Sequence, residues 1–275
     1  QVLDYAVLLI SGSDGVQGHT QTLWNLLQQY EIPTFLFVNK MDQPGADQAA
    51  VMTELKERLS EGCIDFSTSS VLADAVTTDI TDEKKGYDAG TTQKQTITLN
   101  KNTDQNGLSL ETWYEELATC QEGALEAYLE TGTVSDVQIR AMIREREVFP
   151  CYFGSALKME GIEAFLNGFE FWTEEATYPS TFSAKVYKIS RDEQGNRLTH
   201  LKVTGGVLKV KDLLRTKSTG EDDVLEKVNQ IRVYSGEKYE VRKQAEAGEI
   251  CAVTGLAETY PGQGLGEEAE TLPPL

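Results

Sequence analysis

The sequence is poor in the residues that staple small folds or hold metals. Its 275 residues include 2 histidines and 4 cysteines. Cys63, Cys120, Cys151 and Cys251 never form a C-x-x-C pair, which excludes a disulfide framework, a zinc ribbon and a c-type haem site. No apolar run approaches the roughly 20 residues of a membrane span; the best, Ala6 to Ile10 and Thr34 to Val38, are strand-sized. Asp4 interrupts the first residues and no basic region precedes them, so no secretory leader is expected and a reducing, cytoplasmic setting is. Positive charge is scarce as well: 25 Lys and Arg stand against 44 Asp and Glu, a net charge of −19. What the chain does have is 40% hydrophobic residues, enough for packed cores over a length that suits roughly two domains.

The acidity is uneven. Residues 1–179 carry −18 and residues 180–275 about −1, and within the latter the stretch 180–219 sums to +6. A wholly acidic surface repels nucleic acid, but a local basic stretch need not; the alternative is a set of solvated strand faces.

Tyr5 to Ile10 is a continuous apolar run of the kind a strand buried on both faces requires. Thr20 to Tyr30 has helical spacing of Leu23, Trp24 and Leu27; Thr34 to Val38 is a second buried strand, and Asp47 to Leu59 a second helix. Strand, helix, strand, helix predicts a parallel α/β sheet. Residues 61–147 break this pattern. They carry a strand at Thr96 to Leu99, helices at Leu110–Glu130 and Ser135–Glu147, and an excess of acids, as expected of an inserted α+β subdomain. Val148 to Phe153 and Gly161 to Trp172 then resume the sheet. From Ser180 the texture changes to short strands divided by turn residues such as Gln194-Gly-Asn196 and Pro261-Gly-Gln-Gly264, which predicts a small antiparallel β-barrel.

The sharpest chemical signal is Asn39-Lys40-Met41-Asp42, directly after a buried strand. In parallel sheets ligands bind beyond the carboxyl ends of the strands. Guanine presents N1–H and an exocyclic N2 amine on one edge. A carboxylate such as Asp42 can accept from both, while adenine N1 offers it only repulsion. The Lys40 stem can lie along the base. Asn39, donor and acceptor at once, can tie neighbouring loops and meet N7. Four residues also occur by chance, as a turn whose aspartate caps a helix. A second segment, Gly154-Ser155-Ala156-Leu157, follows the next core strand; its backbone N–H groups can donate to guanine O6, and Ser155 and Ala156 have no bulk to obstruct a base. Together the two segments read as a guanine pocket. No G-x-G-x-x-G opens any helix, which argues against a dinucleotide oxidoreductase.

Leu3-Asp-Tyr-Ala-Val-Leu-Leu-Ile10, Asp14-Gly-Val-Gln17, Ile32-Pro33, Val38-Asn-Lys-Met-Asp42 and Phe149-Pro-Cys-Tyr-Phe-Gly-Ser-Ala156 resemble the ribosome-dependent GTPases of the elongation factor G group. Further matches, Ala184-Lys-Val-Tyr-Lys-Ile189, Gly206-Val-Leu208 and Val253-Thr-Gly-Leu256, extend the resemblance through the second half. Ile32-Pro-Thr34, Val148-Phe-Pro150 and Gly206 to Asp212 look most like the tetracycline-resistance ribosomal-protection proteins; Gly45-Ala-Asp47 leans toward elongation factor G itself. The resemblance implies a truncated P-loop-type G domain over 1–179, with the acidic insertion at 61–147, and the translation-factor barrel over 180–275. It implies GTP or GDP as ligand, bound at the guanine by Asn39, Lys40, Asp42, Ser155, Ala156 and Leu157. Leu157 departs from the Lys of many relatives, a mild change because the backbone does the binding. It also implies a ribosomal partner, with the barrel on small-subunit RNA and the acidic insertion on a basic ribosomal protein, and no membrane. A non-enzymatic RNA- or ribosome-binding barrel module is the alternative of another class.

Departures accompany these matches. The phosphate loop G-x-x-x-x-G-K-[ST], the first switch threonine and the Asp-x-x-Gly segment with its histidine are absent from the sequence. The family's Mg²⁺ would therefore have no ligands here, no catalytic residue is assigned, and the chain by itself is expected to be inactive. The start at Gln1 and the end at Leu-Pro-Pro-Leu suggest an internal piece of a longer protein.

Overall fold

The computed structural model describes residues 2–67, 110–219 and 222–266. It divides into two compact units, Asp4–Glu174 and the rest of the chain.

In the first unit, β1 (Ala6–Ser11), β2 (Thr34–Asn39), β4 (Phe149–Phe153) and β3 (Cys63–Asp65) form a parallel sheet in the order β1-β2-β4-β3. Leu36 to Val38 pair with Cys151 to Phe153, so these two strands end side by side. The centre of β2, Phe35 to Val38, is unbroken apolar sequence because helices cover both faces of the sheet. Phe35 and Phe37 point into one core with Phe66, Trp113, Tyr152 and Trp172. Leu36 and Val38 point into the other, with Trp24, Val51, Leu55 and Cys151. Helices α1 (Gly18–Gln29) and α2 (Gln48–Arg58) supply the second core. The first is filled by α3 (Leu110–Ala118), α4 (Glu122–Thr131), α5 (Asp136–Arg144) and α6 (Ile162–Trp172).

Two expectations change. Leu110–Glu130 is two helices, broken between Ala118 and Glu122. Residues 63–65, expected in the insertion, pair in parallel with Phe149 to Cys151 and so belong to the sheet; the Trp113 indole N–H donates to the Asp65 carbonyl at 3.0 Å, tying α3 to that strand's end. The expected strand at 96–99 lies outside the described residues. A third difference concerns β1. It is the sheet's edge, with Val7 40% and Leu9 65% exposed, so it is not buried on both faces. An apolar, unbulged edge strand free of charge and proline invites pairing with a second copy. Sedimentation of the purified chain is therefore expected to show concentration-dependent association, abolished in Leu9→Lys with little change in melting temperature; a wild-type chain monomeric at all concentrations would refute this.

The second unit is antiparallel. One sheet runs β11 (Lys238–Arg242), β10 (Gln230–Ser235), β13 (Ile250–Thr254), β6 (Arg197–Gly205), β5 (Ser183–Arg191), β14 (Gly264–Gly266). Two short pairs, β7 (Val207–Lys209) with β12 (Gln244–Glu246) and β8 (Leu213–Thr219) with β9 (Asp222–Lys227), complete it. Ala184, Val186, Leu201, Val203, Leu208, Ile231 and Val253 fill one core, as alternating strands curled into a barrel require. Between β9 and β10 the strand character is interrupted at Val228, which is fully buried.

Candidate nucleotide-base site

The carboxyl ends of β1, β2 and β4 open into three loops, and hydrogen bonds join them. The Gly12 N–H donates to the Asn39 carbonyl at 2.7 Å and the Met41 N–H to the Gly154 carbonyl at 3.0 Å. Ser13 Oγ donates to Gln43 Oε1 at 3.3 Å. Asn39 Oδ1 accepts from the Lys40 N–H at 2.8 Å and, across the loops, from the Ala156 N–H at 2.9 Å. The two segments singled out in the sequence thus meet through one side chain.

The side-chain carbonyl of Asn39 is spent on this junction, which leaves its amide NH₂ as the group able to face a ligand. Lys40 takes a left-handed backbone, φ 66°, and its side chain is exposed. The geometry corrects one detail. The Ala156 N–H is committed to Asn39, and the Ser155 N–H to the Glu160 carbonyl at 3.0 Å. The turn's N–H without an acceptor among the described residues is that of Leu157, whose side chain is 90% exposed at the tip.

Asp42 sits against this turn. Its carboxyl is held below the ordinary carboxylate range, chiefly by a hydrogen bond with the Ser155 side chain and further by Lys158. Ser155 is buried, and the Lys158 ammonium lies 3.6 Å from Asp42 Oδ2. Lys158 and Glu160 were not legible as site residues. Lys158 reaches Asp42 because the turn closes on itself: Ser155 and Glu160 exchange two backbone hydrogen bonds of 3.0 Å, and Met159 adopts φ 61°. A left-handed methionine carries no sequence signal. The arrangement brings one ionised acceptor, one amide and one backbone donor to the same sheet end, the kinds of group that complement a purine edge carrying two donors and a carbonyl. Among the described residues there is no group of three His, Cys, Asp or Glu side chains that could hold a metal ion.

The profile of the elongation factor Tu GTP binding domain matches residues 1–175. An oxytetracycline resistance protein of Streptomyces rimosus is 29% identical over 276 residues, covering 96% of this chain and 39% of that protein. A crystal structure of a Thermus thermophilus protein is similar in fold, with a TM-score of 0.66 at 19% identity, covering 98% of this chain and 41% of that one. The chain therefore spans about two-fifths of the length of either relative.

Proposed function

The chain belongs to the elongation factor Tu GTP-binding-domain family, and on that footing we propose that it is the guanine-recognising part and barrel of a ribosome-associated translational GTPase of the tetracycline-resistance ribosomal-protection kind. The observation that carries this is the Asn39–Ala156 hydrogen bond with Asp42 beside Ser155, which unites base-binding chemistry from two separate segments. In this reading GTP binding and hydrolysis by the longer protein time its docking on the ribosome and release from it, and the barrel faces small-subunit RNA through its basic stretch 180–219. Asn39, Lys40, Asp42 and the Leu157 backbone hold the base, Ser155 and Ala156 fix the loops that present them, and the working compartment is the cytoplasm. No helix among the described residues is long and apolar enough to cross a membrane. The name of the Streptomyces relative favours protection from a tetracycline over translocation.

Titration of the purified chain with fluorescent GDP and ADP tests the reading. Guanine-selective binding without hydrolysis above background is expected; binding indifferent to the base would defeat it. Lys158→Met gives a second test. With the Asp42 carboxyl held low in the wild type, guanine binding should persist as pH falls through the ordinary carboxylate range and fail only below it. Removing the Lys158 charge lets the carboxyl titrate higher, so the acid limb of binding should move to higher pH, while Lys158→Arg should restore it. An unmoved limb in Lys158→Met would show that the ion pair does not act on recognition.

A further inference from the structure

In the barrel unit, strand alternation sends Val186, Leu201, Ile231 and Val253 into the core and the opposite parity to the other face. Register aligns Lys188, His200, Ala252, Arg232 and Val241 across five strands. Beside this row runs a chain of rings: Tyr187 to His200 at 6.0 Å, His200 to Tyr234 at 6.1 Å, Tyr234 to Tyr239 at 5.3 Å between centroids. Rings that only filled a core would be covered, yet Tyr234 is 38% and Tyr239 47% exposed. They are also held in place. The Arg232 guanidinium lies 4.5 Å over Tyr239 and is fixed by Asp192 at 3.1 Å and Gln230 at 2.7 Å. The His200 ring is hydrogen-bonded to Ser190 Oγ at 2.7 Å. The entropy of ordering these side chains is therefore spent before any ligand arrives.

The charge around the rings selects the partner. The carboxylate of Asp192 is neutralised by Arg232, while Lys188 stands on β5 opposite His200, at the margin of the rings. In a chain of net charge −19, this face presents ring surfaces edged by cations. Exposed planar rings flanked by lysine and arginine suit a backbone of phosphates carrying bases whose faces are free. A duplex offers the phosphates without the free faces.

We infer that the outer face of this sheet, centred on Tyr234 and Tyr239, is a platform on which unpaired RNA bases stack. The inference rests on the RNA-facing reading of the barrel and adds to it the face and the form of RNA. Fluorescence anisotropy of the chain with a short labelled oligoadenylate, and with the same strand paired to its complement, tests it. The single strand should bind at least several-fold more tightly than the duplex. Tyr234→Leu and Tyr239→Leu should each weaken it roughly tenfold, Tyr234→Phe and Tyr239→Phe should bind like wild type, and Lys188→Ala should lower the salt slope by about 0.7. Circular dichroism and melting curves establish that each variant folds. Leucine variants that fold and bind RNA as wild type does, or equal affinity for strand and duplex, overturn the platform and leave the barrel as an RNA-binding unit. Failure of the wild type to bind RNA in either form overturns both.

Discussion

Asp42→Asn should change which purine the chain prefers, the largest effect expected of any single substitution at the site. The aspartate accepts from guanine N1–H and the N2 amine; hydrogen bonds to a charged partner contribute about 1.5–3 kcal/mol each. An asparagine there can accept from N1–H but turns its NH₂ toward the N2 amine, donor against donor. Guanine affinity should therefore fall by roughly a hundredfold or more. Xanthine carries a carbonyl where guanine has the amine, so the same NH₂ gains a partner and xanthosine diphosphate should become the better ligand. Competition of guanosine, xanthosine and adenosine diphosphates against a fluorescent analogue measures both changes. A variant that keeps the wild-type order of preference would remove Asp42 from base recognition. Because Asp42 lies in the loops and caps no strand or helix, the melting temperature should hardly move, which separates lost recognition from lost fold.

The site was legible to the extent that each half follows directly from a strand. Thr34 to Val38 and Phe149 to Phe153 are unbroken apolar runs, so the positions of their ends, and of Asn39 and Gly154 beyond them, could be read from composition alone. What closes the site could not. Lys158 meets Asp42 through a turn whose geometry depends on a left-handed Met159 and on paired backbone bonds between Ser155 and Glu160, and neither residue type announces such a turn. The same limit appears in the fold. An apolar run looks alike at the centre and the edge of a sheet, so the position of β1 was not visible in Tyr5 to Ile10. The strand Cys63–Asp65 is too short to show a period, and it is held by pairing with Phe149 to Cys151 rather than by propensity. In the barrel, the break between β9 and β10 leaves no mark in the polarity pattern because Val228, at the break, is as apolar and buried as a strand residue.

Gly161→Val should cost the first unit both stability and base selectivity, with Asp42 untouched. Gly161 precedes α6 with φ 73°, a backbone region that side chains other than glycine adopt at a cost. A Cβ there would lie 2.3 Å from the Phe153 carbonyl oxygen and 3.1 Å from Gly154 Cα. Both are backbone atoms at the end of β4, so neither can swing aside. Backbone strain and overpacking together should cost about 2–4 kcal/mol, seen as a fall in denaturation midpoint at unchanged slope. The displacement has one nearby route of relief, through Glu160 and its two backbone bonds with Ser155. Ser155 is the group whose hydroxyl holds the Asp42 carboxyl, so opening the turn should free that carboxyl and blunt the preference for guanine over adenine. Gly195→Ala is the matched control: its φ is 81° but its Cβ would meet nothing within 4 Å. It carries conformational strain alone, roughly 1–2 kcal/mol, in the other unit, and should leave base preference intact. If Gly161→Val melts as the wild type does and still prefers guanine, the turn is not what holds Asp42 in place. If it is destabilised yet fully selective, the turn supports the sheet but not the site.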